Sequence, residues 1–514
     1  MTENCNPGWA VYRRALDAPS SIALVCKDRA LNYGELAARA ARLAALLAEN
    51  GVSSAHGTRP RIGILASRSI GACVAALGAC WAGAAYVPFG LKQPEERMLA
   101  LAAQCGLSAI ITDDAGAKLV GPRLAQACPV ILNCSENDCT VPDALGPLRE
   151  PAFAAAGDTA YIIFTSGSTG VPKGVMVSAG ALRCYVEAVT EVLRLCESDR
   201  VLGVSELSFD VSVHNMFATW HAGAALHVLP AAATFNAVKY ARQARLTVWN
   251  SVPSLVGMLR QMKALGPGSL PDLRITAFGG EALPAAIVSA WRDAAPGSAI
   301  FNVYGPTEAT VGCMAQEIDD PLPMTPGRDV VAIGMPFPGT EAAVVDGEGR
   351  MLPDGVAGEL ALAGAQLAQG YLGMPELTER RFRVFGGKRW YLTGDLALRD
   401  AGGRFHCLGR IDNQVKVLGH RIELEEVDAH LRSVSGIDVV GAVPWPLLHG
   451  AAQGLVAFIG AHDADGDSLI SGLKARMPAY MVPHRVVTMR SLPLNPSGKV
   501  DRQALLRLLQ DAPE

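Results

Sequence analysis

The densest cluster of chemistry-bearing residues lies between Tyr161 and Gly174, YIIFTSGSTGVPKG. An apolar strand there leads into Thr165, Ser166, Gly167, Ser168, Thr169 and Gly170, then Pro172, Lys173 and Gly174. Glycines let the backbone turn its N–H groups toward an anion, the hydroxyls add donors, and Lys173 supplies a compact positive charge. That is the chemistry of a triphosphate cradle. It is not a Walker A loop, because Pro172 stands five residues after Gly167, where that motif requires Gly-Lys-Ser/Thr. A plain surface loop of small polar residues is the alternative, and the closing lysine argues against it.

Three further groups follow in order. In Asn302-Val303-Tyr304-Gly305-Pro306-Thr307-Glu308, a strand ends in an aromatic, a Gly-Pro turn, a hydroxyl and a carboxylate. Such a set could stack a purine and hold Mg²⁺. Tyr391-Leu392-Thr393-Gly394-Asp395 puts a carboxylate just after a turn glycine, suited to a ribose diol. Near the end, Asn495–Arg502 (NPSGKVDR) carries Lys499 on a glycine turn. Taken singly, the first two read equally well as ordinary turns, and the third as a solvated lysine.

The elements that must position these groups are legible in the periodicity. Apolar residues recur at helical spacing in Glu35–Leu47, Arg97–Gln104, Ala181–Leu195 and Ala285–Asp293. Between them lie short β-type runs, at Arg61–Leu65, Ser108–Thr112, Val130–Leu132, Tyr161–Phe164, Thr247–Trp249 and Ile300–Val303. Helices alternating with short apolar strands predict α/β layers with parallel sheets. After about Asp320 hairpin-like strands with Gly turns predict a β-rich subdomain, and from Asp412 a compact α+β pattern runs to the end. The expected fold is therefore α/β: a large N-terminal domain of α/β layers plus a β-rich subdomain (1–411), and a small C-terminal α+β lid domain (412–514).

Composition narrows the function classes. The 514 residues carry 45 Lys+Arg against 49 Asp+Glu, a net charge of −4, which argues against a polybasic nucleic-acid binder. With 50% hydrophobic and 18% charged residues, general disorder is excluded. The 12 cysteines include no C-x-x-C pair, and Cys128, Cys134 and Cys139 lack zinc-site spacing; reduced thiols in a cytoplasmic protein are expected. Ser69–Leu91 carries no charged side chain, but its Ala and Gly content and Pro88 predict a buried helix leading into a strand, not a membrane span.

Taken in order, the motifs resemble the adenylate-forming superfamily, and more closely the amino-acid adenylation domains of nonribosomal peptide synthesis. The resemblance is carried by LNYGEL (Leu31–Leu36), WAGAAYVPF (Trp81–Phe89), FTSGSTGVPKGVMV (Phe164–Val177), LSFDVS (Leu207–Ser212) and NVYGPTE (Asn302–Glu308). It continues through GELALAGAQLAQGYL (Gly358–Leu372), YLTGD (Tyr391–Asp395), GRIDNQVKVLGHRIELEEVD (Gly409–Asp428), MPAYMVP (Met477–Pro483) and NPSGKVDR (Asn495–Arg502). It implies ATP and Mg²⁺ as cofactors and an ATP-dependent, AMP-forming amino-acid–carrier-protein ligase.

By resemblance, Thr165–Gly170 with Lys173 hold the phosphates, and Gly280, Glu281, Asn302, Val303, Tyr304, Gly305 and Thr307 line the nucleotide. Glu308 is the expected Mg²⁺ ligand, Asp395 takes the ribose hydroxyls with help from Arg410, and Asp412 is the expected hinge. Lys499 matches the catalytic lysine, with Thr165 and Glu308 beside it in the catalytic set. Asp210 matches the clamp for the substrate ammonium, and the implied pocket is Asp210, Val211, His214, Asn250, Thr276, Phe278, Val303, Val311 and Gly312. Phe278 is expected to shorten that pocket, and His214 and Asn250 to hydrogen-bond a polar tip. Together these imply a small or medium, neutral amino acid.

The sequence departs from the family pattern at Ala179, Gly90 and Glu425. D-alanine–carrier-protein ligases share IELEEV (Ile422–Val427) and GYLGMPELTERRF (Gly370–Phe382), but typically place Cys where Gly279 precedes Gly280-Glu281. That ligase, an acyl- or aryl-CoA ligase, and an inactive interaction module stand as alternatives. The chain stops about a dozen residues after the Asp501-Arg502 pair. It is therefore expected to act free-standing on a separate phosphopantetheinyl carrier protein, with a small activator protein left open as a further partner and no nucleic acid.

Overall fold

A computed structural model describes residues 3–52, 59–128, 130–134, 148–167, 172–448, 451–461, 464–495 and 500–511. Ser168, Thr169, Gly170 and Lys499 lie outside the described residues. The chain divides into two compact units. The first comprises Met1–Leu91, Ala102–Ile163 and Gly174–Gly409; the second comprises Lys92–Leu101, Phe164–Lys173 and Arg410–Glu514. The C-terminal segment of the second unit thus begins at Arg410, and the unit also takes in Lys92–Leu101 and Phe164–Lys173.

The first unit is built on a nine-stranded and a seven-stranded sheet, with a five-stranded sheet from its last third. In the nine-stranded sheet the strands Val248–Ser251, Ile275–Gly279 and Ala299–Tyr304 run parallel side by side. The seven-stranded sheet places Thr159–Thr165 between Ala85–Phe89 and Lys173–Ser178. Parallel strands covered by helices are the expected layering. The five-stranded sheet pairs Thr340–Val345, Gly358–Gly364 and Lys388–Arg399 antiparallel, the expected β-rich texture.

Local chemistry explains the helices. Asn32 caps Tyr33–Glu49, its side chain accepting from the Glu35 amide while the Glu35 carboxylate accepts from the Asn32 amide. The charge-free stretch from Ser69 forms the helix Ile70–Trp81, buried at every position, and then the strand Ala85–Phe89. Among the described residues no helix is long and apolar enough to cross a membrane.

The second unit is small and mixed. Its helix Leu424–Ser435 packs with the strands Val440–Pro444 and Leu455–Gly460 around Val427, Leu431, Ala442 and Ile459. Buried Asp428 ties this core together: it accepts from the Ala442 amide at 2.8 Å and from the Arg502 guanidinium at 2.7 Å. Burial raises its carboxyl to about 6 despite the arginine.

Candidate active site

In the first unit Asp210 opens a short helix, Val211–Val213, that widens into a π-type turn over His214–Ala218. The Asp210 carboxylate accepts the Thr307 hydroxyl at 2.6 Å. One turn on, buried His214 meets the Tyr185 hydroxyl through Nδ1 at 2.7 Å. Burial pushes His214 down to about 4, so the ring is neutral near pH 7. The region around His214 can therefore offer hydrogen bonds but not a cation.

Strand alternation decides which sheet residues face this side. Asn250 pairs with Ala277, and Gly279 pairs with Val303, so these four share one face. A Cβ on Gly312 would lie 2.8 Å from Val303 Cγ1 and 3.7 Å from the Tyr185 ring, which brings the Val311–Gly312 segment to that face as well. Asn250 donates weakly to Asn215 at 3.4 Å, while its own carbonyl oxygen is buried with no partner among the described residues.

Two residues expected in the pocket do not join it. Thr276 and Phe278 occupy the opposite face, toward the helix Ala285–Ala294. Thr276 Oγ1 accepts the Trp291 indole N–H at 2.7 Å, and the Phe278 ring stands edge-on to Trp291 at 5.3 Å. The physical reason is the two-residue period of a strand: displacement by one position moves a side chain to the other face. Ala277 and Gly279 lie on the Asn250–Val303 face in their stead, and the Phe278 ring does not.

The nucleotide motif forms a tight turn. Tyr304 ends its strand, Thr307–Ala309 make a 3₁₀ turn, and Thr310 and Val311 follow with φ of 56° and 68°. Gly305 is required there, since a Cβ would sit 2.5 Å from the Val311 carbonyl oxygen. Glu308 is fully buried and accepts the Tyr371 hydroxyl at 2.8 Å. The Tyr304 hydroxyl donates to Asp395, so the expected adenine wall and ribose carboxylate are joined directly. Thr393 supports that carboxylate by accepting the Asp395 amide at 3.0 Å.

Other expected nucleotide contacts have structural duties. Glu281 accepts the amide and hydroxyl of Ser254 at 2.9 and 3.0 Å, at the start of the helix Pro253–Gln261. The Asn302 side chain lies on the Phe278 face and donates to the Ala332 carbonyl at 2.8 Å. Gly280 has φ of 80°, a left-handed position natural to glycine.

In the second unit the described part of the phosphate loop is held by carboxylates. Lys173 pairs with Glu423 at 2.8 Å, and the Gly167 amide donates to Glu426 at 3.0 Å. The Ser166 hydroxyl donates to the Arg421 carbonyl at 2.9 Å. Burial raises the Glu426 carboxyl even with Arg97 at 2.7 Å. Thr165 keeps a buried hydroxyl with no partner among the described residues. Arg410 grips Asp412 with two hydrogen bonds, at 2.8 and 2.6 Å.

Among the described residues no three His, Cys, Asp or Glu side chains are grouped to hold a metal ion. Mg²⁺ delivered with ATP does not need such a cage: it takes one or two carboxylates plus phosphates and water. The buried Glu308 carboxylate, steered by Tyr371, fits that requirement. Sequence reasoning missed Tyr371, Tyr185, Ala277 and Gly279. Only strand alternation could have flagged the last two.

The family described as AMP-binding enzyme matches residues 11–372. A D-alanine–D-alanyl carrier protein ligase of Bacillus velezensis is 30% identical over 95% of this chain and 96% of its own length. The delta-poly-L-ornithine synthetase of Acinetobacter baumannii is 33% identical over 95% of this chain, which spans only 35% of that protein. Among solved structures, the Vibrio cholerae adenylation domain AlmE, in complex with glycyl-adenosine-5'-phosphate, superposes with a TM-score of 0.85. It is 29% identical and covers 100% of this chain and 99% of its own.

Proposed function

The chain belongs to the AMP-binding enzyme family, and from that premise we propose that it activates a small or medium, neutral amino acid with ATP and loads it onto a separate carrier protein. It is an adenylate-forming enzyme of nonribosomal-peptide-synthetase type. The observation that carries the finer reading is the 2.6 Å hydrogen bond from Thr307 to Asp210. Through it, a carboxylate suited to an ammonium group is anchored to the residue next to Glu308. A substrate without the amine would forgo the ion pair with that carboxylate, which is a basis for selection.

In the first step an oxygen of the substrate carboxylate bonds to the α-phosphorus of ATP, and the bond to the departing pyrophosphate breaks. Two anions must meet, so catalysis is chiefly positioning and charge neutralisation. In the first unit Asp210 is assigned the ammonium, and Tyr304 with Asp395 the nucleoside; in the second, the Thr165–Gly170 loop with Lys173, which pairs with Glu423, is assigned the phosphates and Lys499 the catalytic charge. Glu308 would hold Mg²⁺, and the ion would supply positive charge toward the departing pyrophosphate. In the second step a phosphopantetheine thiol bonds to the acyl carbon and AMP departs, with Asp412 as the hinge between steps. A cytoplasmic setting, with its supply of ATP, suits this chemistry.

The wall of Ala277, Gly279, Val303, Val311 and Gly312 supports an apolar or weakly polar side chain, and the buried Asn250 carbonyl oxygen could accept one hydrogen bond from it. D-alanine is a second reading, favoured by the end-to-end match to a D-alanine–D-alanyl carrier protein ligase. To test the transfer step, the enzyme is offered its preferred amino acid, ATP and either a phosphopantetheinylated carrier or coenzyme A, and the acceptors are weighed by mass spectrometry. An aminoacyl mass on the carrier is expected. Loading of coenzyme A alone would replace this reading with a CoA ligase.

A further inference from the structure

The turn that carries Glu308 has a shape its own residues resist. Thr310 and Val311 are β-branched, yet both have left-handed φ, of 56° and 68°. The segment that enters the strand Gly370–Tyr371 holds the turn in place. The Ala368 amide donates to the Glu308 carbonyl at 2.8 Å, and the Tyr371 hydroxyl donates to the Glu308 carboxylate at 2.8 Å. The Thr310 hydroxyl donates to the Gln366 carbonyl at 2.5 Å. Gln366 is 2% exposed, and its Nε2 donates to two backbone carbonyls, Ala309 and Gly312, each at 2.8 Å. Those two carbonyls bracket the strained pair.

We propose that Gln366 is a positioning residue: by stapling Ala309 to Gly312 it sets the Glu308 carboxylate and the Val311–Gly312 wall together, coupling Mg²⁺·ATP to the amino-acid end. The proposal rests on the reading of Glu308 as the Mg²⁺ ligand. Glutamine suits the task because a neutral NH₂ offers two donors to two acceptors. Glutamate would set a charged acceptor against both carbonyls, while methionine fills similar space with no donor. Without the staple both buried carbonyls lose their partner. The strained turn is then free to relax, moving both ends at once.

The test compares wild type with Gln366→Met and Gln366→Glu by two readouts. Titration calorimetry measures ATP affinity in EDTA and in MgCl₂, and pyrophosphate exchange gives the KM of the preferred amino acid. For Gln366→Met, the gain in ATP affinity on adding Mg²⁺ falls about tenfold and the amino-acid KM rises about tenfold, the scale of one or two lost hydrogen bonds. Gln366→Glu is worse on both counts, and ATP affinity in EDTA stays within about twofold. Adding Thr310→Asn to Gln366→Met restores part of both losses, because asparagine tolerates left-handed φ.

The proposal is overturned if both readouts stay at wild-type values, if only one moves, or if ATP affinity in EDTA falls as far as the rest. Should Gln366→Met fail to fold, Thr310→Val removes the hydroxyl that holds the Gln366 backbone carbonyl to the turn, and both readouts are expected to shift in the same direction by a smaller factor. A wild-type enzyme whose ATP affinity gains nothing from Mg²⁺ would instead overturn the role given to Glu308, a result distinct from a wild-type gain that Gln366→Met leaves intact.

Discussion

Phe278 and Gly279 are neighbours in one strand, and the structure gives them opposite consequences when altered. Phe278 is fully buried with its ring edge-on to Trp291 at 5.3 Å. Truncation to alanine removes a whole ring from a packed layer, at a cost of about 3–5 kcal/mol. Phe278→Leu keeps most of the volume and loses the aromatic pair, about 1 kcal/mol. Neither change touches the pocket face, so the order of amino-acid preference survives. Gly279→Ala differs: its new Cβ lies on the Val303 side, 2.9 Å from the Val303 carbonyl oxygen. That methyl group narrows the pocket, and the KM of the preferred amino acid rises about tenfold or more. Urea unfolding measures the first effect, and pyrophosphate exchange across an amino-acid panel measures the second. A reordered panel in Phe278→Leu, with Gly279→Ala unchanged, would refute the face assignment.

Other perturbations follow from the same contacts. Thr307→Val removes the hydroxyl that anchors Asp210, so the amino-acid KM rises about five- to tenfold, more than the ATP KM, read by steady-state exchange. His214 has a folded-state value near 4, against an ordinary value near 6.5, so the unfolded chain takes the proton first and stability falls as pH drops through that window. About 2 kcal/mol is lost between pH 6.5 and 5, and His214→Gln lessens this slope in denaturant titrations. His227 and His420, also lowered to about 4, and His221, His430 and His484, lowered by burial too, add to the slope that remains, while Asp428, raised to about 6, opposes it. The catalytic role proposed for Lys499 predicts that Lys499→Ala lowers the rate of adenylate formation at least a hundredfold with the fold intact by circular dichroism.

Much of the framework was legible because its signal is local. The strand Arg61–Leu65 lies where the apolar run predicted it, and the charge-free stretch after Ser69 is the expected buried helix followed by a strand. The α/β and β-rich textures were readable from periodicity and glycine turns. Individual site positions were less secure. Motif matching assigned Thr276 and Phe278 to the pocket, but a single-residue displacement along a strand exchanges faces, and only the observed pairing resolves it. Tyr371 and Gln366 lie more than fifty residues after Glu308, and no period connects them. Their hydrogen bonds exist only once two distant segments pack. Glu281 and Asn302 illustrate the converse: polar residues inside a nucleotide motif that are spent on a helix start and a backbone carbonyl.

The central claim is that this chain activates an amino acid through an ammonium clamp at Asp210. It is tested most directly by ATP–pyrophosphate exchange over amino acids of both hands, with their des-amino acids as controls, for wild type and Asp210→Ala. The account predicts exchange driven by one or a few small or medium neutral amino acids, none with the des-amino acids, and loss of that discrimination in Asp210→Ala. Equal exchange with des-amino acids, or no amino-acid-dependent exchange across the whole panel, would contradict it.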